Sequence, residues 1–481
     1  MTPIFTRVSI IIFFVVASTW HISASPATWF DEGINLGIAS SLIRHGVYSL
    51  ELGPNSFVPS IERSFLITTN YPTLIPVAAS LYFLQSFDPG LGMARVPMVL
   101  YLWLFGFFLF RIIKRLSDNP WTPWLALALL ATFAPLYGNG KAVLGEIPGL
   151  VFLCAGILTL PQSLNHKRLF GAGLLFGLSI AAKPYFLIVA PAVLVSELFF
   201  YWSHKKIFFS RIGIMTLGAV IPLFLWLMTI IQPFHWITIL GAINYYANSY
   251  AVQSLWDSVG VNLLRFVSES TPIHFMLLFI PTIIVWIRRY QHKTITATEI
   301  ILAVFILITF GWYLKTPGWY RYFFTAHVLL LALFPLSLSK IFSRKTAAII
   351  SVGLFAIQLV HVVSRTRDPL YNSDAATVFT TEMKQKKVPS GDVLVINSPS
   401  IAFLLRNQPE VRIHQILQIN PDLHFGYASL KMLYDGGWYP YVITSGSLAD
   451  TDLEQNYDVL EKEYEPIVVV EKYQLFKKRS L

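Results

Sequence analysis

As far as about residue 363, apolar and polar positions alternate along the chain as long apolar runs cut by short polar turns. A membrane-crossing helix needs about 20 mostly apolar residues, fewer where it is short or locally thins the bilayer. The runs that meet this are Ile4 to Ile22, Arg95 to Ile113, Trp121 to Tyr137, Glu146 to Leu160, Leu169 to Ala182, Pro184 to Trp202, Ile212 to Ile231, Ile273 to Ile287, Glu299 to Leu314, Tyr322 to Leu338 and Thr346 to Val363. They predict a polytopic α-helical membrane protein with roughly eleven crossings, the count being bounded at about 11 to 13. Tyr71 to Phe87 is ambiguous. It carries Pro72 and Pro76 and ends in "DPG", which suits a helix that dips into the bilayer or lies against it.

Basic clusters between the runs set the orientation. Arg7, "RIIKR" (Arg111 to Arg115), "NHKR" (Asn165 to Arg168), "SHKK" (Ser203 to Lys206), "RRYQHK" (Arg288 to Lys293), and Lys340 with Arg344 and Lys345 are expected inside. They share that side only if Tyr71 to Phe87 does not cross. The N-terminus is then cytoplasmic and the C-terminus extracytoplasmic, in the plasma or inner membrane. Outside lie Ser23 to Asn70, "YGNGKAVLGE" from Tyr137, the turn at Lys183, a loop from Gln232 to Pro272 expected to form interfacial helices, and "KTPGWYR" from Lys315.

From about residue 364 the pattern changes. "SGDVLVINSPSIAFLL" reads as strand, turn and helix, "YPYVITSGS" as a strand, and "EPIVVVEKYQLFKK" as a hairpin. The division is a membrane domain over 1–363 and a small extracytoplasmic α/β domain over 364–481, the latter without a dinucleotide fingerprint or Walker sequence.

Composition agrees. The 481 residues are 55% hydrophobic and 13% charged, with a mean hydropathy of +0.58 and a net charge of +10. The positive excess sits in the turn clusters, where it meets anionic lipid, and no basic face interleaved with aromatics points to nucleic acid. The single cysteine, Cys154, lies in an apolar run and excludes a disulfide framework. Pro26 directly after "SAS" opposes signal cleavage there, so the first run is read as a retained helix.

Candidate chemistry collects in the outward turns. Asp31 and Glu32 open a segment in which Ile34, Ile38, Leu42 and Ile43 recur at helical spacing until Gly46, predicting an amphipathic helix in the outer interface. Asp31 at a helix start also reads simply as a cap, with Glu32 complementing the dipole. Glu146 is a carboxylate at an apolar helix end, costly unless paired or at the surface. Lys183 and Arg321 lie in short outward turns against the sidedness bias, which asks for an anionic partner: one of these acids or a ligand. Arg95 and Lys141 lie nearby in the threading.

Acids and cations at one membrane face suit transfer of a sugar from a lipid phosphate to an acceptor hydroxyl. The hydroxyl needs a carboxylate base, and the departing phosphate needs fixed Lys or Arg donors. The chain resembles the C-type superfamily of integral membrane glycosyltransferases (GT-C), in its branch of polyprenyl-phosphate-mannose protein mannosyltransferases and lipid A aminoarabinose transferases. The resemblance rests on "WFDEG", "RHGVYSL", "NYPTLIP", "ARVP", "GKAVLGEIPGLVF", "AAKP" and "WYRYF". It implies an extracytoplasmic site, a polyprenyl-phosphate-linked donor and inversion at the anomeric carbon. Asp31 is then the catalytic base, with Glu32 and Glu146 as further acids orienting acceptor or sugar. It also places Tyr71 where the family often has a donor-phosphate Lys or His, leaving that phosphate to Lys183, Arg321 or Arg95. Lys141 and Tyr322 are further substrate-binding candidates.

The acceptor class is a cell-envelope glycan, lipid or protein. The resemblance also allows a divalent ion on Asp31, Glu32 and Glu146. Two other classes stand beside this reading: a secondary transporter or lipid-sugar flippase, which would need charged residues at mid-membrane and paired broken helices, and a scaffold whose C-terminal domain binds an envelope partner.

Overall fold

The computed structural model describes residues 3–53, 56–59, 61–62, 65–66, 69–84, 90–230, 255–316, 318–365, 373–386, 391–406, 408, 410–420, 423–425, 439–445, 460 and 462–479. In chain order these form α1 (Pro3–Thr19), α2 (Phe30–His45), the strands β1 (Ser49–Gly53), β2 (Ser56–Pro59), β3 (Ile61–Glu62) and β4 (Phe65–Leu66), then α3 (Tyr71–Leu84), α4 (Leu91–Leu116), α5 (Thr122–Ala131), α6 (Ala134–Gly140), α7 (Glu146–Thr159) and α8 (His166–Ala182). A 3-10 turn over Pro184–Ile188 leads into α9 (Val189–Tyr201), followed by α10 (Lys205–Ile230), α11 (Leu255–Ser268), α12 (Ser270–Gln291), α13 (Ala297–Lys315), α14 (Arg321–Ile341) and α15 (Arg344–Arg365). The C-terminal part holds α16 (Ala375–Gln385), β5 (Gly391–Ile396), α17 (Pro399–Leu405), β6 (Val411–Asn420), β7 (Leu423–Phe425), β8 (Tyr441–Ser445), β9 (Tyr464–Val470) and β10 (Tyr473–Lys478).

The protein is a polytopic helical membrane protein. Among the described residues seven helical stretches are long and apolar enough to cross: Leu91–Leu116, Pro184–Tyr201, Lys205–Met228, Ser270–Gln291, Ala297–Lys315, Arg321–Ile341 and Arg344–Arg365. Each coincides with a predicted crossing. The other four predicted runs form shorter helices. Trp121 to Tyr137 is broken at Thr132 and Phe133 into α5 and α6, where the Thr132 hydroxyl bonds back to Ala128 O and Pro135 follows.

The described part of the ambiguous stretch is the short helix α3. Tyr101 OH donates to Pro72 O at 2.6 Å and Ser80 Oγ to Met93 O at 2.7 Å, so α3 lies antiparallel to the first half of α4. Its 14 residues span about 21 Å, against about 39 Å for the 26 of α4. Residues 85–89, the end of that prediction, lie outside the described set.

The basic clusters gather at one end. There Arg7 lies over Trp121 and Trp124, Arg115 donates to Leu158 O, Lys340 reaches Asp118 at 3.5 Å and Arg289 pairs with Glu299 at 2.9 Å. Arg211 and Glu197 form a buried pair that also binds the carbonyls of Pro161 and Ser163. The starts of α2, α4, α7 and α14 lie at the other end. Of the loop expected to carry interfacial helices, residues 231–254 lie outside the described set; beyond them α11 exposes Trp256, Leu264 and Val267 and buries Asn262 and Phe266.

The expected amphipathic helix in the interface is corrected in one respect. α2 ends as predicted, at Gly46 in the left-handed region (φ 67°), but every residue from Glu32 to Ser41 is buried. Two layers cover it: α3 on one side and α17 of the C-terminal unit on the other. Ile34, Leu36 and Ile38 share one core with Leu74, Val77, Met98, Val143, Phe403 and Leu417.

The C-terminal sheet has the order β7-β6-β5-β8-β10-β9, with β5 parallel to β6 and β8 and the rest antiparallel. The predicted strand, turn and helix are β5 and α17, and the predicted hairpin is β9 and β10. This unit grips α2 through Arg406, whose guanidinium donates to Gly37 O at 3.3 Å and to Glu51 O. Gln415 donates to the same Glu51 carbonyl at 2.8 Å. Gly33 makes the approach feasible, because a Cβ there would stand 2.5 Å from Ser400 N and 2.8 Å from Pro399 C, both backbone atoms.

Gly33→Ala therefore has to push α17 away from α2. The expected outcome is a loss of roughly 1–3 kcal/mol, read as a lower melting temperature of the detergent-purified protein. Melting together with wild type would show that the two units do not touch at this point.

Candidate active site

α2 begins after Trp29, which occupies the cap position without a side-chain cap, so Asp31 and Glu32 both fall in the first turn. Adjacent helical residues point about 100° apart, and these two acids take different directions. Glu32 turns inward. Its carboxylate is fully buried and takes a two-pronged contact from Arg95, Nε to Oε1 at 2.8 Å and Nη2 to Oε2 at 2.7 Å. Val143 N–H adds a third bond to Oε1 at 3.0 Å, and Arg95 Nη1 donates to Ile22 O at 3.0 Å. Asn35, on the same helix face at i+3, donates to Val143 O at 2.7 Å. One buried pair thus ties α2, α4, the stretch just after α1 and the turn before α7 together.

Lys141 in that turn is also buried, with Nζ donating to Trp20 O at 2.8 Å and to Ser25 Oγ at 3.3 Å. Burial, and next the nearby Arg95 charge, pull its amine down to about 7.

Asp31 turns to the start of α14. Its Oδ2 accepts from Arg321 Nη1, and both side chains keep some exposure, 34% and 17%. The Arg321 guanidinium lies over Trp319 (4.9 Å) and Tyr322 (5.3 Å), whose rings stack on each other. Arg321 Nη2 also reaches the Tyr322 hydroxyl at 3.5 Å.

Glu146 is the first residue of α7, where the helix dipole favours a carboxylate. Its Oε1 accepts from Lys183 Nζ, while Oε2 is buried with no partner among the described residues. Gly145 lets the turns meet, since a Cβ there would stand 2.5 Å from Ala182 O and 2.9 Å from Lys183 Cβ. The two ion pairs are linked by Tyr185, two residues beyond Lys183. Its hydroxyl donates to Tyr322 O at 3.2 Å and lies 3.3 Å from Thr325 Oγ1. Asp31, Glu146, Lys183 and Arg321, far apart in sequence, therefore belong to one neighbourhood at one end of the bundle.

Other expected site residues differ in place. Arg95, expected among the phosphate ligands, is wholly buried on Glu32 and Ile22. Glu32 faces that guanidinium and not an acceptor, and Lys141 is engaged with the first loop. Tyr71 lies at the start of α3 with its hydroxyl 3.4 Å from Pro222 O. Of the three acids considered for a divalent ion, Glu32 is turned away from the other two, and Asp31 and Glu146 are each paired with a cation. Among the described residues no three His, Cys, Asp or Glu side chains gather closely enough to ligate a metal. Sequence reasoning passed over Asn35 and Tyr185. Asn35 had a readable signal in its i+3 spacing from Glu32, whereas Tyr185 looked like any aromatic at a helix start.

The whole-chain fold has solved counterparts. ArnT from Cupriavidus metallidurans bound to undecaprenyl phosphate superimposes with a TM-score of 0.63 at 10% identity, over 99% of this chain and 98% of that one. Its apo state gives 0.57 at 10% identity over 98% and 97%. The Archaeoglobus fulgidus oligosaccharyltransferase, in complex with Zn and sulfate, gives 0.60 at 11% identity over 95% of this chain and 71% of that one. No protein-family model matches the sequence, and no curated protein matches it. The chain therefore shares its fold with these proteins: a helical membrane bundle carrying a small C-terminal α/β unit.

The Glu32 and Arg95 pair generates a stability prediction. Glu32→Gln leaves a buried guanidinium without its counter-charge and should cost roughly 3–5 kcal/mol, seen as a strongly lowered melting temperature in detergent. Replacing both, as Glu32→Gln with Arg95→Met, should recover part of that loss. Equal destabilisation by the single and double variants would contradict the pairing.

Proposed function

We propose that this chain is a glycosyltransferase of the GT-C superfamily that moves a sugar from a polyprenyl-phosphate donor to a hydroxyl of a cell-envelope glycan, lipid or protein. The observation that carries the reading is two ion pairs, the partly exposed Asp31 with Arg321 and the nearly buried Glu146 with Lys183, joined through Tyr185 at one end of a fold shared with an undecaprenyl-phosphate-bound ArnT. Within the superfamily, the sequence motifs favour the branch of protein mannosyltransferases and aminoarabinose transferases. The basic clusters at the opposite end support an orientation with that end cytoplasmic and the site outside.

In the proposed reaction the acceptor oxygen attacks the anomeric carbon from the face opposite the phosphate, giving inversion. The new C–O bond forms as the bond from that carbon to the phosphate oxygen breaks, and the hydroxyl proton passes to the Asp31 carboxylate. The donor is a singly charged phosphodiester and leaves as a monoester, so negative charge grows on its oxygens during the step. Lys183 and Arg321 are the cations positioned to hold it, and Glu146 orients the sugar. Each cation is paired with one of the acids. Donor phosphate drawing Arg321 away would free Asp31 as a base only once donor is present.

Asp31→Asn keeps shape and removes the base. Transfer from labelled polyprenyl-phosphate sugar in membranes should fall by roughly 10²-fold or more, with donor binding retained. Transfer at the wild-type rate would refute the assignment, and sugar-lipid transport without transfer in proteoliposomes would favour the flippase class. Lys183→Gln and Arg321→Gln should each weaken binding of polyprenyl phosphate itself, measured by titration of the purified protein; unaltered affinity in both would remove them from the phosphate site.

A further inference from the structure

The turn that leads into Arg321 is held by α11, a helix the proposed reaction does not use. Asn262, buried on the inner side of α11, donates through Nδ2 to Tyr313 O at 3.3 Å, Leu314 O at 3.0 Å and Thr316 O at 2.7 Å. The last carbonyls of a helix have no partner within it, so this one amide closes the end of α13. Arg265, three residues further along α11, donates through Nη1 to Gly318 O at 2.7 Å and lies 3.5 Å from the Glu269 carboxylate. Gly318 completes the fit. Its φ of 81° is in the left-handed region, and a Cβ there would stand 2.3 Å from Asn262 Oδ1 and 2.4 Å from Arg265 Nη1.

α11 is itself firmly seated. Phe266 packs on Phe275 of α12, on Phe310 and Tyr313 of α13 and on Phe323 of α14. The opposite side of α11 exposes Trp256, Leu264 and Val267, an apolar surface of the kind interfacial helices lay on lipid. From Gly318 the connection to the site is short. The next residue is Trp319, whose ring lies 4.9 Å from the Arg321 guanidinium, and Arg321 is the cation paired with Asp31. Displacing the Gly318 carbonyl therefore displaces the ring on which that guanidinium rests. We infer that Asn262 and Arg265 are positioning residues for Arg321: they fix the turn so that the guanidinium is aimed at Asp31 and the donor phosphate. Neither touches substrate. The inference rests on the phosphate role proposed for Arg321 and extends it to α11.

The test titrates the full-length protein in lipid nanodiscs with a polyprenyl phosphate. Arg265→Ala and Asn262→Asp should each weaken binding about tenfold, a size typical of substitutions that act on a site through intervening contacts. Asn262→Asp keeps the side-chain shape but sets an acceptor against three carbonyl oxygens. Arg265→Lys keeps a donor for Gly318 O and should retain most of the affinity. Double variants separate positioning from a general structural loss. In an Arg321→Gln background Arg265→Ala should cost nothing more, whereas in a Lys183→Gln background it should keep its full effect. Equal losses in all three backgrounds, or unaltered affinity in Arg265→Ala, would overturn the positioning role while leaving the phosphate role of Arg321 standing. Should Asn262→Asp not fold, the Arg265 series decides alone. If Arg321→Gln itself leaves binding unchanged, the phosphate role fails, and the positioning role with it.

Discussion

Charge inside a membrane protein must be matched where it stands, and the Glu32 and Arg95 pair is where this chain meets that constraint most strictly. Neither side chain has any exposed surface. Both carboxylate oxygens and three guanidinium nitrogens have partners, drawn from α2, α4, the first loop and the turn before α7. Buried pairs add little net stability, because desolvation offsets attraction, but losing one partner is severe. Their effect is to permit one arrangement of the helices. Here that arrangement sets the first turn of α2 beside the start of α7.

The two ion pairs at the rim differ in kind. Asp31 and Arg321 retain partial exposure, and Lys183 keeps 15% while Glu146 is almost covered. A partly exposed pair such as Asp31 and Arg321 is the weaker kind in net terms. The buried pair is therefore suited to holding geometry and the rim pairs to chemistry, although all three combine the same residue types.

The C-terminal unit belongs to this arrangement. Its helix α17 lies against the side of α2 that begins directly after Glu32, and Arg406 reaches backbone carbonyls on both α2 and β1. The helix bearing Asp31 is thus held between membrane helices and the α/β unit, and its small residues Gly33 and Gly37 admit the close approach. A helix held on two sides presents its first turn with little freedom, as the base role proposed for Asp31 would require.

Long apolar runs, proline positions and the strand-helix-strand pattern near the end were readable from the chain, because hydropathy and backbone periodicity are local properties. So was the placing of Asp31, Glu146, Lys183 and Arg321 at one end, since the threading of helices and the sidedness of basic turns follow from the order of the runs. Partner choice was not readable. Nothing local distinguishes Glu32, which turns inward to Arg95, from Asp31 one residue earlier; the difference is a rotation of about 100° about the helix axis relative to neighbours far away in sequence. For the same reason the burial of α2 was decided only by tertiary structure, which determines what stands opposite each side chain.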